Sequence, residues 1–424
     1  MKQKTVDILK LHFKMVNMYI SRLLEKTLKE AIGTFPAVLI TGPRQSGKTT
    51  LVRELLSKKY NYVSLDELDI RSFAVQDPRG FLERYGSPLI IDEIQNAPQI
   101  LSYIKSKIDN DRKPGKWILT GSQQFPLMRN VSESLAGRVA VLTLLSFSQA
   151  EKSRNLRSDL KTADAYIEHL CAGSEKVKKN GTTGDWILQG GYPELFVNKK
   201  ISRKIWFSSY IQTYIDRDVR GNIKSANLND FERFLTLLAG RTGKEINFST
   251  LSREIGVSVP TIKSWMSFLE ASSLIYLLYP YYKNFGKRVI KSPKLYFTDT
   301  GLVSYLVGLQ NPDHLIKGPM AGALFETACI MQFIKRFSAL MDNCKLYFWR
   351  SVSGFEVDLL VETSQGIFPI EFKLASTINS QHIAALSEWS KMAGFPDGKG
   401  LIVSSSDRSG SVGKNIHNCH YSLL

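Results

Sequence analysis

The stretch Gly42-Pro43-Arg44-Gln45-Ser46-Gly47-Lys48-Thr49-Thr50 constrains this chain more than any other, because of what flanks it. The apolar segment Ala37-Val38-Leu39-Ile40 precedes it, and Leu51-Val52 opens a helical pattern after it. A buried strand therefore enters a glycine-bearing loop from which a helix departs. Several backbone N–H groups and the positive end of the helix dipole then face one concavity, which suits polyphosphate. Gly42 and Gly47 permit the tight turn, Lys48 is placed to reach the terminal phosphates, and the Thr49 hydroxyl to ligate Mg²⁺. An incidental Gly-rich turn is the alternative, and the strand–loop–helix context speaks against it.

The segments that follow alternate as in a parallel α/β sheet. Tyr62-Val63-Ser64-Leu65 is expected as a strand, and Pro88 to Gln95 holds an apolar run ending in the adjacent carboxylates Asp92 and Glu93. Such a run suits a central parallel strand, whose C-terminal end is where ligands sit. Asp92 is expected beside Thr49 in the Mg²⁺ shell, with Glu93 orienting or deprotonating an attacking water. A solvated strand end is the bland alternative. Trp117-Ile118-Leu119-Thr120 leads into Gly121-Ser122-Gln123-Gln124, where Ser122 is the candidate sensor of a γ phosphate, against a plain turn. Arg138 stands just before the strand Val139 to Leu142. Its expected role is to stabilise transition-state charge in its own or a neighbouring subunit, with a surface arginine equally open.

On the Gly-Pro-Arg-Gln-x-Gly-Lys-Thr-Thr loop, the acidic strand end Leu89 to Gln95, Thr120-Gly121-Ser122 and Ala136-Gly137-Arg138, the chain resembles the AAA-type P-loop ATPases of bacteria and archaea. The resemblance runs from about residue 18 to the end. It implies a RecA-like parallel sheet, ATP and Mg²⁺ as cofactors, ATP hydrolysis, and an uncharacterised C-terminal region.

Residues 151–183 are Lys- and Gly-rich and are expected as an exposed connection. Gly190-Gly191-Tyr192-Pro193-Glu194-Leu195 follows as a structured turn. From Lys199 to Lys224 seven basic and two acidic residues surround Trp206, Tyr210 and Tyr214. That composition suits a helix lying on a phosphate backbone, or a solvated face over a core. Further on, Ser249 is expected to cap a short helix, Thr250 to Ile255, ended by Gly256. Ser258 then caps a second helix with Pro260 in its first turn, a helix-turn-helix pattern. Apolar stretches at 274–278 and 294–297 make a two-stranded wing around Tyr281, Tyr282, Lys283, Lys287, Arg288 and Lys291. A winged helix of this kind places Thr261, Lys263 and Ser264 near DNA, although such modules also serve as protein contacts.

The last hundred residues hold a second constellation. Glu326 lies on an expected helix, 321–337; strands at 346–349, 356–361 and 368–373, a helix at 380–392 and a strand at 401–403 complete an order that resembles the PD-(D/E)xK nuclease core. Alternation puts Glu371 and Lys373 on one strand face and Phe372 on the other. Asp358 would share a metal with Glu371, Lys373 would activate water, and Glu326 would add an outer carboxylate. Val357 stands where the superfamily name expects proline. A strand with solvated charges, or a silent fold that binds DNA without cutting it, are the alternatives.

A chain of 424 residues exceeds one hydrophobic core. The expected division is an N-terminal extension, 1–17, with Met15 and Met18 as alternative starts; an ATPase domain, 18–150; a connection, 151–189; a helical winged-helix region, 190–310; and a restriction-endonuclease-like α/β domain, 311–424. The net charge of +17 favours a polyanionic partner, DNA or RNA, without separating the two. The four cysteines are far apart, without a zinc pair or disulfide framework, as expected for free thiols in a cytoplasmic protein. No secretory or membrane-spanning segment is expected. The expected function is ATP hydrolysis coupled to DNA binding, in a homo-oligomer. The alternatives are a nucleotide-dependent switch acting on protein partners and an ATP-gated, Mg²⁺-dependent nuclease.

Overall fold

The computed structural model describes residues 19–122, 131, 134–173, 181–214, 219, 228–282, 292–394 and 398–424. The expected extension 1–17, Gln123 and Gln124, and the basic wing residues Lys283, Lys287, Arg288 and Lys291 lie outside them.

The N-terminal part is a five-stranded sheet of β1 (Ala37–Thr41), β2 (Asn61–Ser64), β3 (Leu89–Asp92), β4 (Trp117–Thr120) and β5 (Val139–Thr143), in the order β2-β3-β4-β1-β5. Every pairing in it is parallel. Side chains alternate between the faces, and each face has its own core. Leu39, Ile91 and Leu119 point into one, and Val38, Ile40, Ile90 and Ile118 into the other. This is the parallel, helix-covered sheet expected of a P-loop ATPase. The apolar spacing of Tyr19, Ile20, Leu23, Leu24, Leu28 and Ile32 predicts a helix from Tyr19, but the first helix runs Glu25–Thr34. Side chains hold the preceding turn instead: Glu25 accepts from the Tyr19 hydroxyl and the Arg22 amide, each at 2.8 Å, and Glu151 accepts from the Leu23 amide.

The rest of the chain is built on a second, nine-stranded sheet. Its strands are β6 (Lys244–Glu245), β7 (Ile275–Pro280), β8 (Lys294–Phe297), β9 (Lys345–Arg350), β10 (Glu356–Thr363), β11 (Gly366–Lys373), β12 (Gly400–Ser404), β13 (Gly410–Gly413) and β14 (Ile416–His420). They are ordered β13-β14-β12-β11-β10-β9-β7-β8-β6. The helix-turn-helix is present as Phe248–Ile255 and Val259–Ala271, with Gly256 at φ 85° between them. Its first cap is Asn247, whose side chain accepts from the Thr250 amide at 3.0 Å, and not Ser249.

Two of the expected boundaries are crossed by continuous structure. The division at 310/311 cuts through a continuous sheet, because β7 pairs in parallel with β9, Tyr279 beside Tyr347 and Pro280 beside Phe348. Tyr281 accordingly packs on Tyr347 and Trp389, at 5.6 and 5.4 Å, and belongs to the core rather than to a wing tip. Residues 151–189 are not simply an exposed connection: the helix Ala163–Ala172 buries Tyr166, Ile167 and Leu170 in the same core as Phe333. The central helix of that core, Ala321–Leu340, is buried around almost its whole circumference. Its C-terminal end reaches the N-terminal part, where Ala339 joins a core cluster and its carbonyl accepts from the Thr27 hydroxyl at 2.7 Å.

Candidate nucleotide site and C-terminal carboxylate cluster

The phosphate loop leaves β1 at Gly42, whose φ of 138° is open only to glycine. A Cβ there would stand 2.1 Å from the Leu144 carbonyl oxygen. Gly47, at φ 94°, is the N-cap of the helix Lys48–Leu56. The Lys48 ammonium lies back across its own loop and donates to the Gly42 and Pro43 carbonyls at 3.0 and 2.9 Å. The Thr49 hydroxyl meets both carboxylate oxygens of Asp92, at 3.1 and 3.0 Å, as the sequence anticipates. Asp92 also accepts from the Tyr62 hydroxyl at 2.9 Å and from Thr120. Burial, then the Asp92 charge, pushes the Tyr62 phenol well above its usual pKa.

Glu93 follows with φ 57°, a left-handed conformation uncommon for a side chain of its size. Its carboxylate accepts from the Ser122 hydroxyl at 3.3 Å and from the Gln95 amide. Because β4 lies between β1 and β3, Ser122 at its end stands between the loop and the two carboxylates.

Arg138 is placed elsewhere. It precedes Val139, which pairs with Ala37, so it lies at the entry end of the strands, a strand length of about 16 Å from the loop that leaves the exit end. There it donates to Asp109 at 2.6 Å. A role at its own subunit's nucleotide is thereby corrected.

Sequence reasoning missed the residue that braces the loop. Arg22 is 4% exposed and donates to the Ser46 carbonyl at 2.9 Å, the Leu145 carbonyl at 2.7 Å and Glu151 at 3.0 Å, with Phe147 under its guanidinium at 4.7 Å. A lone arginine in an apolar helical pattern gave no signal of this. The Gly190-Gly191-Tyr192-Pro193 turn also reaches the loop, since a Cβ on Gly47 would lie 3.8 Å from the Pro193 ring. Behind it sits a buried polar junction. Asp299 accepts from the Gly191 amide at 2.7 Å and the Ser146 hydroxyl at 3.1 Å, while the Lys335 ammonium donates to Ser146 and to the Phe147 carbonyl, each at 3.0 Å. Burial lowers the Lys335 pKa, against the pull of Asp299.

In the basic stretch the aromatic side chains are core, as in the alternative of a solvated face over a core, and Arg217, Arg220 and Lys224 lie outside the described residues. In Arg203–Tyr214 the rings of Trp206, Tyr210 and Tyr214 are buried, and Trp206 stacks on Tyr210 at 5.3 Å. In the second helix of the helix-turn-helix, Lys263 and Ser264 are exposed, and Thr261 is half-buried with its hydroxyl 2.8 Å from that of Ser258.

At the C-terminal site, Asp358 and Glu371 lie on neighbouring antiparallel strands, β10 and β11. Lys373 sits 3.6 Å from Asp358 and contacts Glu371. Asp358 also accepts the Phe372 amide at 2.9 Å, whereas Glu371 Oε1 is buried without a hydrogen bond. Burial, followed by the Asp358 charge, raises the Glu371 pKa well above the carboxylate range. Burial disfavours the charged form of Lys373, but Asp358 and Glu371 outweigh it and hold its pKa above the usual value.

Glu326 does not join them as an open ligand. It accepts from the Tyr296 hydroxyl at 2.5 Å and pairs with Lys294 at 3.1 Å, and Lys294 also contacts Glu356. Burial, then Asp358, raises the Glu326 pKa to about 7. Among the described residues no group of three or more Asp, Glu, His and Cys side chains is arranged to hold a metal ion. The expected metal shared by Glu326, Asp358 and Glu371 is therefore not matched by the arrangement of these side chains.

No helix among the described residues is long and apolar enough to cross a membrane. Residues 34–152 match the family described as an AAA domain, and residues 182–313 and 321–424 match two domains of unknown function, DUF8612 and DUF4143. Uncharacterised proteins of Mycobacterium tuberculosis (Rv2008c) and Mycobacterium bovis (Mb2031c) are each 30% identical over 352 residues, which is 82% of this chain and 73% of theirs. Among solved structures, a Walker-type ATPase of Pyrococcus abyssi is 15% identical with a TM-score of 0.42, covering 66% of this chain and 94% of that one. A Thermotoga maritima RuvB variant is 17% identical with a TM-score of 0.26, covering 61% and 89%. Scores of that size carry no argument beyond likeness. The mycobacterial match is of another order in length and identity, and the chain belongs to the family of those uncharacterised proteins, with an AAA-type P-loop ATPase domain ahead of two domains of unknown function.

Proposed function

We propose that the chain hydrolyses ATP at the exit ends of β1, β3 and β4 and couples the nucleotide's state to DNA binding by the helix-turn-helix. The observation that carries this reading is the convergence of Thr49, Asp92, Glu93 and Ser122 at one sheet end, beside the glycine-bearing loop that leads into the N-terminus of the helix Lys48–Leu56. Thr49 and Asp92 are hard oxygen donors already in contact and fit Mg²⁺, which when bound would neutralise phosphate charge. Lys48 then exchanges its two loop carbonyls for phosphate oxygens. Glu93 positions and deprotonates the attacking water, and Ser122 holds the Glu93 carboxylate and reports on the γ phosphate. Arg138 acts on a neighbouring subunit's nucleotide, so its contribution requires a homo-oligomer.

DNA binding is supported by the exposed Lys263 and Ser264 of the second helix, by the order of three helices and two antiparallel strands from 228 to 297, and by the +17 charge. The test is steady-state ATP turnover by wild type, Lys48→Ala and Glu93→Gln, with and without duplex DNA. The reading expects turnover that both substitutions abolish and DNA stimulates. Turnover that survives Lys48→Ala would sink it, and turnover indifferent to DNA removes the DNA half.

A second reading has its own observation in its favour. Lys294 and Lys373 already answer the carboxylates of the nuclease-like cluster, as in a silent domain whose partners are proteins. Mg²⁺-dependent DNA cleavage lost in Asp358→Ala, with ATP turnover kept, would overturn it in favour of an ATP-gated nuclease.

A further inference from the structure

A cavity of about 660 Å³ opens where the ATPase part meets the rest of the chain. Its walls come from the helix Gln149–Lys152, from residues 181–203 and from the C-terminal turn Tyr421–Leu423. That volume is in the range of small-molecule sites. Its charge is one-sided. Lys152, Lys199 and Arg203 line it, and the single carboxylate among the described lining residues, Asp185, is spent on its helix cap, accepting from the Thr182 amide at 3.1 Å and hydroxyl at 2.7 Å. Arg203 Nε is buried without a hydrogen bond, and Lys152 has a carbonyl, that of Gly190 at 3.0 Å, for a partner. Asp299, whose charge acts on Lys152 and Arg203 from behind this wall, is already shared among Ser146 and the amides of Gly191, Gly301 and Leu302. Cations gathered in a cleft without a free counter-charge are costly, and an anion removes the cost.

We propose that this cavity binds a small phosphate-bearing anion, held by Lys152, Lys199 and Arg203. The site is separate from the phosphate loop: none of residues 42–50 lines it. The two are joined by three contacts. Phe196 in the cavity wall packs on Phe147 at 6.0 Å, Arg22 lies over Phe147 at 4.7 Å, and Arg22 donates to the Ser46 carbonyl at 2.9 Å. The proton content of the site follows from the same geometry. Burial foremost, then Lys335 and Lys199 against Asp299, brings the Lys152 pKa down to about 7. An anion beside it restores the charged form, so binding at pH 8 takes up protons.

The test is calorimetric titration of the full chain carrying Lys48→Ala, which disables the phosphate loop, with inorganic pyrophosphate and separately with AMP. One saturable site is expected, weakened about tenfold or more by adding Lys199→Gln or Arg203→Gln, as for loss of a charged hydrogen bond. Lys199 is exposed, so its replacement leaves the fold intact. Tighter binding of AMP than of pyrophosphate assigns the phosphate to a nucleotide, and the reverse to an inorganic ion. With AMP, whose phosphomonoester is already a dianion at pH 8, heats at that pH should depend on the buffer's ionisation enthalpy, and that dependence should vanish in Lys152→Met. Absence of a saturable site in Lys48→Ala, affinity unchanged by Lys199→Gln, or heats independent of buffer would each overturn the proposal. ATP turnover by the wild type is a separate readout, so failure here does not bear on the hydrolytic reading.

Discussion

Glu93 holds its carboxylate over the nucleotide site only by adopting φ 57° at the end of an otherwise regular strand. A side chain in the left-handed region costs about 1–2 kcal/mol, and such residues gather where geometry serves function. Two substitutions separate the strain from the chemistry. Glu93→Gly is expected to raise stability by about 1 kcal/mol, read as a shift of the denaturation midpoint, while abolishing ATP turnover. Glu93→Gln keeps the backbone strain and the contact with Ser122, and should slow turnover by about 10²–10⁴-fold with nucleotide binding retained. A Glu93→Gly protein that is less stable than wild type, or a Glu93→Gln protein that turns over normally, would show that the residue is a strand end and nothing more. Asp92 and Glu93 were legible because a run of apolar residues ending in carboxylates is a local pattern. Arg22 was not, since its value comes from Ser46, Leu145 and Glu151, which the chain brings to it from far along the sequence.

The turn Gly190-Gly191-Tyr192-Pro193 shows how one short element can join two parts of a chain. The Gly191 amide is held by Asp299, its carbonyl accepts from the Phe147 amide at 2.7 Å, and a Cβ on it would lie 2.4 Å from the Phe147 carbonyl oxygen. Gly191→Ala must therefore push the turn away from the strand end that supports the phosphate loop. A loss of about 1–3 kcal/mol is expected. Gly322→Ala, on the exposed side of the central helix with nothing within 4 Å of the new methyl, should be neutral or slightly stabilising. The junction beside the turn also sets a pH dependence. Lys152 has a pKa of about 7 in the folded chain, below its ordinary value when unfolded, and burial lowers Lys335 as well. Between about pH 7 and the ordinary lysine pKa of about 10.4, these two lysines bind more protons in the unfolded chain than in the folded one, so their contribution to stability rises with pH. Lys152→Met should flatten that rise between pH 7.5 and 9.5 without removing it, because Lys335 contributes with the same sign. Denaturation midpoints across that range test it, and an unchanged slope would mean that Lys152 stays charged in the fold.

At the scale of the whole molecule, the strands bearing the phosphate loop, the carboxylate pair and Lys373 were legible within a residue or two, because apolar runs and alternation are local signals. The polar strands β13 and β14 were not, and neither was the pairing of β7 with β9, which joins residues far apart in sequence through backbone bonds that no side-chain pattern announces. That pairing decides what counts as a unit. Removing everything before residue 311 strips β9 of its neighbour and leaves Tyr347, Phe348 and Trp349 on an unpaired edge, the arrangement that invites aggregation. It also takes Lys294 and Tyr296 from the buried Glu326, leaving that carboxylate without its cation. Residues 311–424 expressed alone should therefore be insoluble or lack a cooperative unfolding transition. Residues 155–424, which keep the helix Ala163–Ala172, β6 to β8 and the helix-turn-helix, should retain the nine-stranded sheet and unfold in one step, at lower stability because Phe147 and Ser146 no longer close the junction around Asp299 and Lys335. If the shorter fragment unfolds cooperatively on its own, the continuous sheet is two domains in contact, and the coupling of nucleotide state to the C-terminal region must run through a movable interface.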